Sequence, residues 1–219
     1  MSGAAFGVFG GTFDPVHLGH TGIARAAASA LGVDRIELVL SSRPPHRPGH
    51  EPAPVHHRFA MLALATQNEP LLVPSDREVR RPGLSYMIDT LRASRDPETG
   101  AGPILLMGAD AFAEFLTWRE PEAIAREFDI GVLTRAGSPA VIARDSLPGW
   151  LAERITPAPP GGATLPPSSG GGRIFTLPLP PFPVSSTEIR NRAARGESLS
   201  GLVSPAVARY IEMQRLYRS

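Results

Sequence analysis

The chain has 219 residues, is 42% hydrophobic and carries a formal net charge of +1 at pH 7. This length supports one sizeable hydrophobic core, and the near-neutral charge, with basic residues dispersed along the chain, disfavours non-specific binding to nucleic acid. Cysteine and lysine are both absent, so disulfides, thiol catalysis, Schiff-base chemistry and a P-loop lysine are excluded. Any phosphate site must therefore use arginine, histidine or backbone amides.

Hydropathy and the N-terminal sequence bear on location. No apolar run approaches the roughly 20 residues of a membrane-spanning helix. The N-terminal segment MSGAAFGVFGG lacks the basic flank and cleavage pattern of a signal peptide. We therefore expect a cytoplasmic protein with no membrane partner.

The predicted elements begin with a βαβ unit. The apolar runs at 4–9 and at 35–40 (RIELVL) flank the alanine-rich segment GHTGIARAAASALG (19–32), whose composition favours helix. Further strand-like runs follow at 104–109, 129–134 and 173–179, and helical patterns at 55–66, 85–93, 110–116, 120–127 and 204–216. This alternation predicts an α/β fold with a Rossmann-like, doubly wound, mostly parallel sheet and helices on both faces. Ligands are then expected beyond the carboxyl ends of the strands.

Two proline-rich segments interrupt this alternation. The uncharged segment TPAPPGGATLPPSSGGG (156–172) cannot bury enough apolar surface to order itself, so we interpret it as a flexible surface insertion. The segment SSRPPHRPGHEPAP (41–54) lies between a predicted strand and a predicted helix and carries two histidines and two arginines, which favours a substrate loop. We predict a single domain over residues 1–219, with the insertion and a small C-terminal helical part at about 186–219.

The segment FGGTFDPVHLGH has the composition of a phosphate site. Gly10 and Gly11 let the backbone approach a ligand closely, and the first N–H groups of the following helix offer an anion site. His17 and His20 project from the same face of the first helical turn, where ring N–H groups can donate to phosphate oxygens. A capped turn at Asp14 with surface histidines explains the same residues, so the spacing alone leaves both interpretations open.

The segment VSSTEIRNRAARG, which follows the last predicted strand, supplies a second helix start. Ser185 and Glu188 match a capping box. Ser186 and Thr187 add hydroxyl groups at the same terminus, and Arg190 lies one turn further on, where its guanidinium can reach the same anion. Two helix starts that both follow parallel strands can converge on one polyphosphate.

Taken together, these residues resemble a known family. GGTFDPVHLGH and SSTEIR are similar to the motifs of the HxGH nucleotidyltransferase superfamily. The segments PPHR, REVRRPGLSYMIDTL, GADAFAEFLTW and LVSPAVARYIEMQRLY resemble, in order and spacing, the bacterial nicotinate mononucleotide adenylyltransferases. The resemblance covers nearly the whole chain apart from about 135–172. The sequence departs from the family in its long insertion and at Met87, where the family typically has threonine.

The resemblance implies adenylyl transfer from ATP to nicotinate mononucleotide, giving nicotinate adenine dinucleotide and pyrophosphate, in NAD biosynthesis. It implies His17, His20 and Arg190 as catalytic groups, with Mg²⁺ bound mainly through the ATP phosphates and no dedicated metal site. The implied ATP site comprises Gly10, Gly11, Thr12, His17, His20, Gly108, Asp110, Ser186, Thr187 and Arg190. The implied nicotinate mononucleotide site comprises Thr12, Phe13, His46, Arg47, Ser85, Tyr86, Met87 and Trp118.

The pyridine ring of nicotinate mononucleotide is cationic and bears a carboxylate, so the two charges need different binding groups. Tryptophan offers the best aromatic face for a cation, so Trp118 is expected to stack on the cationic ring. Backbone N–H groups around Ser85 to Met87 could bind the ring carboxylate and would disfavour an amide. A core position explains Trp118 as well as stacking does.

Other interpretations of the same residues remain. A zinc cluster built from the six histidines is disfavoured, since no HExxH motif and no cysteine are present, and His56 and His57 more readily start a helix. The nearest rival enzymes are adenylyltransferases of the pantetheine-phosphate or nicotinamide mononucleotide type. A nucleotide-sensing module without turnover is a third alternative. The expected partners are small-molecule substrates only, and the sequence leaves open a monomer or a homodimer.

Overall fold

The computed structural model describes residues 5–42, 51–98, 100, 102–135, 144–157 and 172–218. Most of the predicted substrate loop, including His46 and Arg47, lies outside the described residues, as does most of the predicted insertion.

Within the described ranges, six strands form one sheet in the order β3-β2-β1-β4-β5-β6. The strands are β1 (Gly7–Gly11), β2 (Ile36–Leu40), β3 (Leu72–Ser75), β4 (Ile104–Gly108), β5 (Ile130–Arg135) and β6 (Ile174–Leu179). Every neighbouring pair is parallel. Because β2 is central and buried along its whole length, it reads as a nearly continuous apolar run, IELVL.

Helices cover both faces of this sheet. The helices are α1 (Leu18–Leu31), α2 (Val55–Thr66), α3 (Arg77–Arg80), α4 (Met87–Ala93), α5 (Ala109–Ala113), α6 (Pro121–Glu127), α7 (Gly149–Ala152), α8 (Ser186–Ala194) and α9 (Pro205–Met213). Within the described ranges, every one of them is too short or too polar to cross a membrane. The predicted doubly wound α/β fold is confirmed.

The core divides into two apolar clusters, one on each face of the sheet. Alternation along β4 shows the division: Leu106 belongs to one cluster, and Leu105 and Met107 belong to the other. Helices α1, α2, α8 and α9 bury their apolar faces in the first cluster, while α4, α5, α6 and α7 pack on the second.

Local sequence signals explain where several helices begin and end. Helix α1 ends at Gly32, whose φ of 62° is the left-handed conformation that glycine adopts readily at a helix terminus. Ser204 caps the start of helix α9, where its side chain accepts a hydrogen bond from the Val207 N–H, and Pro205 occupies the first helical position.

The sheet order positions the site. The chain winds outward through β1, β2 and β3, and then returns to place β4 on the other side of β1. The crevice between the carboxyl ends of β1 and β4 is therefore the topological switch point, where open α/β sheets bind ligands. Gly11 ends β1 and Gly108 ends β4, so the two strands that border the crevice both finish in glycine.

The structure corrects several predicted elements. Strand β3 and the short helices α3 and α7 were not predicted; β3 has four residues and contains Pro74, which an edge strand tolerates but which masks the strand pattern. The helix predicted at 110–116 ends at Ala113 and gives way to a 3₁₀ turn at Phe115–Thr117. A second 3₁₀ turn spans Arg144–Ser146. The predicted first strand, 4–9, is displaced to Gly7–Gly11.

Candidate active site

A cavity of about 480 Å³ lies at the switch point. Its lining comes from the end of β1 and the turn after it, from the end of β4, and from the first turns of α1, α4 and α8. These residues include Gly10, Gly11, Thr12, Phe13, Asp14, His20, Met87, Gly108, Trp118, Ser186 and Arg190. The volume is within the range of small-molecule sites.

A smaller cavity of about 240 Å³ adjoins the first. The two share a border made by Gly10, Gly11, Thr12, Met87 and Trp118. The smaller cavity is also lined by Ser41, Glu78, Ser85, Tyr86, Glu114 and Arg119. Two adjoining cavities with a shared border can hold two molecules in contact, which is what a direct transfer between them requires.

Met87 lies directly over the shared border. A Cβ atom added to Gly10 would lie 2.5 Å from the Met87 Cε atom, so the methionine methyl group occupies the space that glycine leaves open. Met87, which departs from the family pattern, therefore lies between the two cavities.

His17 and His20 form a reciprocal cap at the start of α1. The His20 N–H donates to Nδ1 of His17, and the His17 N–H donates to Nδ1 of His20, each over 3.3 Å. The two rings stack with centroids 3.7 Å apart. Since each Nδ1 atom accepts a hydrogen bond, the proton of each neutral ring is assigned to Nε2, which leaves Nε2–H as the donor available to a ligand.

The environment keeps both rings neutral. Burial lowers the pKa of His17 from 6.5 to about 4. Burial, together with the neighbouring His17, lowers the pKa of His20 well below 6.5. At neutral pH the pair therefore offers N–H donors without carrying positive charge.

The spacing of the motif has a steric explanation. A Cβ atom on Gly19 would lie 2.9 Å from the His17 ring, so glycine is needed for that ring to lie over the first turn of α1. A Cβ atom on Gly11 would lie 2.9 Å from the Phe13 ring. Phe13, which is 2% exposed, in turn packs edge-on against His20 with centroids 5.1 Å apart. The glycines thus create the space in which the histidine pair is held.

The second helix start lies against the first. The Ser186 hydroxyl donates to the carbonyl oxygen of Pro15 over 3.0 Å, and Nη1 of Arg190 donates to the carbonyl oxygen of Asp14 over 2.7 Å. Nη2 of Arg190 donates to the Thr187 hydroxyl over 3.2 Å. The starts of α1 and α8 therefore converge at the larger cavity.

The connection between β6 and α8 makes this convergence possible, because β6 lies at the far edge of the sheet from β1. After β6 the chain crosses over α1, where a Cβ atom on Gly22 would collide with the Phe182 ring. At the start of α8, Ser185 accepts from the Glu188 N–H as predicted, but the Glu188 carboxylate accepts from Arg192 over 2.6 Å. One half of the predicted capping box is present.

The structure separates the predicted site residues into those that line a cavity and those that lie behind it. Among the described residues, His17 lies behind His20, Thr187 is bonded to Arg190, and Asp110 is exposed on the first turn of α5. Ser85 is buried, and its hydroxyl accepts from the Ser42 N–H over 3.2 Å. Trp118 is partly buried against Phe115, with centroids 5.8 Å apart, and lines both cavities, so it combines the core and the site interpretations.

Arg58 was not predicted as a site residue, yet this charged residue is 2% exposed and lies beneath the site. Its guanidinium donates to the backbone carbonyl oxygens of Thr12, Ser41, Ser42 and Ala53. It thereby ties the loop after β1 to the loop after β2. A signal was available: Arg58 falls on the inward face of α2 together with Met61, Leu62 and Thr66.

Comparisons with known proteins agree with this geometry. The sequence profile of the cytidylyltransferase-like family matches residues 8–192. A probable nicotinate-nucleotide adenylyltransferase of Bordetella petrii is 39% identical over 212 residues, which cover 97% of this chain and 98% of that protein. A relative with the same description from Symbiobacterium thermophilum is 37% identical over 214 residues, which cover 98% of this chain and 95% of that protein.

A solved structure shares the fold. The nicotinic acid mononucleotide adenylyltransferase of Plasmodium falciparum, complexed with NaAD, aligns with a TM-score of 0.71 at 17% identity, over 98% of this chain and 97% of that one. The predicted family and the predicted class of enzyme, a nucleotidyltransferase, are confirmed by the sequence relatives. The chain therefore belongs to the cytidylyltransferase-like family and, within it, to the nicotinate-nucleotide adenylyltransferases.

Proposed function

We propose that this protein transfers the adenylyl group of ATP to nicotinate mononucleotide, forming nicotinate adenine dinucleotide and pyrophosphate in NAD biosynthesis. The observation that carries the proposal is the pair of adjoining cavities, of which the larger contains His20 and Arg190. The relatives' shared description as nicotinate-nucleotide adenylyltransferases supports this choice of reaction.

In this proposal ATP occupies the larger cavity, with its phosphates at the starts of α1 and α8. A phosphate oxygen of the mononucleotide attacks the α-phosphorus, forming a P–O bond, and the bond from the α-phosphorus to the bridging oxygen breaks to release pyrophosphate. No protein nucleophile takes part. The site contributes position and electrostatic stabilisation, which are the main sources of catalysis in phosphoryl transfer.

The donors at the two helix starts have distinct roles. His20 donates through Nε2–H to oxygens around the reacting phosphorus, while His17 holds the His20 ring in place and supplies a second donor. Arg190, Ser186 and Thr187 bind the β- and γ-phosphates. The guanidinium of Arg190 has more N–H groups than its two bonds, to Asp14 and Thr187, use. Gly108 and Asp110 lie at the end of β4 and the start of α5, where the ribose of ATP would extend.

ATP enters this site as its Mg²⁺ complex. The larger cavity has one carboxylate in its described lining, Asp14, and its Oδ1 atom already accepts from the Tyr217 hydroxyl and the Ala53 N–H. The donor set fits an ion held by phosphate oxygens and water, which Mg²⁺ prefers to an all-protein cage. The ion would neutralise phosphate charge, while the protein groups bind and orient the substrate.

The smaller cavity is proposed to hold the pyridine half of the mononucleotide. Its lining carries charges of both signs, from Glu78 and Glu114 on one hand and Arg119 on the other, which suits a ring that is cationic and bears a carboxylate. Trp118 supplies a stacking face. His46 and Arg47 remain predicted mononucleotide ligands from the sequence resemblance, together with Thr12, Phe13 and the Ser85 to Met87 segment.

Small, charged metabolites as substrates support a cytoplasmic location, and we retain it as part of the proposal. We also retain the interpretation of the chain as a single domain, which is supported by the packing of α8 and α9 on the same apolar cluster as α1 and α2.

A substrate panel tests the proposed function. Pyrophosphate release is measured with ATP and Mg²⁺ in the presence of nicotinate mononucleotide, nicotinamide mononucleotide or phosphopantetheine. We expect the highest kcat/KM with nicotinate mononucleotide. Preference for phosphopantetheine would assign the chain to a different adenylyl transfer, and ATP binding without pyrophosphate release for any acceptor would indicate a sensing module.

A further inference from the structure

The last residues of the described chain reach back to the active site. The Tyr217 hydroxyl donates to Oδ1 of Asp14 over 2.8 Å, across 203 positions of sequence. Asp14 lines the larger cavity, whereas Tyr217 is absent from the described lining of both cavities. Tyr217 therefore contacts a residue of the cavity wall without lining the cavity itself.

The backbone at this contact is in a conformation that side-chain-bearing residues rarely adopt. The φ of Tyr217 is 63°, and that of Arg215, two residues earlier, is 52°. The turn is closed by a hydrogen bond from the Leu216 N–H to the Ile211 carbonyl oxygen over 3.0 Å. A non-glycine residue in the left-handed region persists where surrounding contacts require it, and the bond to Asp14 is such a contact.

Asp14 stands between Tyr217 and Arg190. Its backbone carbonyl accepts from Nη1 of Arg190 over 2.7 Å, while its carboxylate Oδ2 atom lies 3.9 Å from the same nitrogen. That second distance is beyond a hydrogen bond. Asp14 is 4% exposed. The Oδ1 atom of its carboxylate accepts a hydrogen bond from the Tyr217 hydroxyl and another from the Ala53 N–H over 3.2 Å.

We propose that Tyr217 is a positioning residue for adenylyl transfer, which holds the Asp14 carboxylate 3.9 Å from Nη1 of Arg190, beyond hydrogen-bond distance, so that the guanidinium remains available to the ATP phosphates. The proposal rests on the proposed function, because it concerns how Arg190 meets its substrate. Without the hydroxyl, the carboxylate can turn and close the 3.9 Å gap to a short, charge-assisted pair with Arg190. That pair would compete with phosphate for the same donors.

A second buried charge bears on the same carboxylate. Arg58 is fixed on four backbone carbonyl oxygens, so it cannot follow Asp14 when the carboxylate turns. Among the described residues, Arg190 lies close to the Asp14 carboxylate, and its side chain is 20% exposed at the cavity, so it has room to move. Loss of the Tyr217 hydroxyl is therefore expected to weaken the binding of ATP.

Tyr217→Phe tests this role while retaining the aromatic ring that packs on the first apolar cluster. Tyr210→Phe is the matched control, since Tyr210 belongs to α9 and its hydroxyl makes a bond of 2.9 Å with His57, away from Asp14. We expect Tyr217→Phe to raise the KM for ATP about threefold to tenfold, with the KM for nicotinate mononucleotide within about twofold of wild type. Tyr210→Phe should leave both KM values unchanged.

A purely structural role gives a different result. The thermal midpoint would then fall in Tyr217→Phe while the ratio of the two KM values remained that of wild type, which would overturn the proposal. A double-mutant cycle with Arg190→Lys adds a second test. The Tyr217→Phe effect on ATP should shrink in the Arg190→Lys background, because coupled residues are non-additive; full additivity would overturn the link.

ATP affinity measured by calorimetry, without a second substrate, separates this proposal from the proposed function. A weaker ATP affinity in Tyr217→Phe and an unchanged one in Tyr210→Phe would support the Tyr217 role even if nicotinate mononucleotide proved not to be the acceptor. Equal ATP affinity in wild type and Tyr217→Phe would overturn it even if the acceptor were confirmed.

Discussion

His17 and His20 cap each other: each backbone N–H donates to the other residue's ring Nδ1 atom over 3.3 Å, and the rings stack at 3.7 Å. Protonating either ring places a hydrogen on the Nδ1 atom that now accepts from the backbone. The helix start and the neutral state of the pair therefore depend on each other, and stability must depend on pH in a defined direction.

The first prediction concerns that pH dependence. The folded-state pKa of His17 is about 4, below its ordinary 6.5, so the folded chain binds fewer protons than the unfolded chain between these values. The stabilisation is complete above pH 6.5 and is lost as the pH falls toward 4. His17→Asn keeps an N-cap acceptor and removes the titrating ring. Urea unfolding across this range should show the wild type losing up to about 3 kcal/mol more than the variant. Parallel curves would contradict the assignment.

The second prediction concerns Gly19→Ala. The added methyl group would lie 2.9 Å from the His17 ring, so the ring must move and the reciprocal cap must open. Turnover should fall about tenfold or more, because small displacements of catalytic groups are costly. Gly149→Ala is the control, since a Cβ atom there meets nothing within 4 Å. Initial rates are measured at saturating substrate. Equal rates for the two variants would show that turnover does not require glycine at position 19.

The third prediction concerns Arg190→Lys. Replacing a planar fork with a point charge should raise the KM for ATP more than the KM for nicotinate mononucleotide. Arg192→Lys is the matched control two positions along α8, where the arginine pairs with Glu188 on the surface. Steady-state kinetics with each substrate varied in turn should show the ATP effect in Arg190→Lys alone. An equal rise in both KM values would argue against a phosphate role.

The fourth prediction concerns Trp118→Phe. Phenylalanine keeps an apolar ring with a weaker π face, so the KM for the mononucleotide should rise by the equivalent of roughly 0.5 to 2 kcal/mol while that for ATP changes little. The chain's other tryptophan, Trp150, also packs on the second apolar cluster, and Trp150→Phe serves as the control. A lower thermal midpoint with an unchanged KM ratio in Trp118→Phe would leave this residue a core role only.

The sequence predicted most of the fold because periodicity and composition act locally. Helix α2 has the bounds that the pattern at 55–66 indicates. Strand β3 was missed because Pro74 occupies one of its four positions, which only an exposed sheet edge permits. The break between α5 and the 3₁₀ turn was missed as well, since the apolar pattern around Phe112 and Phe115 continues through it.

The site was predictable in its parts and less so in its connections. Strand ends and helix starts could place His20 and Arg190 at one crevice. The stacking of the histidine pair depends on Gly19 having no side chain, and the Tyr217 bond to Asp14 depends on the packing of the whole C-terminal segment. The burial of Arg58 likewise depends on tertiary packing, although its position on the inward face of α2 could be predicted from the sequence.

In the proposed reaction the mononucleotide phosphate attacks the α-phosphorus of ATP directly, and the site supplies position and charge rather than a nucleophile. The stereochemical course at that phosphorus is the most direct measurement. ATP made chiral by a sulfur atom in place of one non-bridging α-oxygen is converted with nicotinate mononucleotide, and the configuration of the dinucleotide product is determined. We expect inversion, because a single in-line displacement inverts the centre. Retention would indicate two displacements through a covalent adenylyl-enzyme and would contradict direct attack.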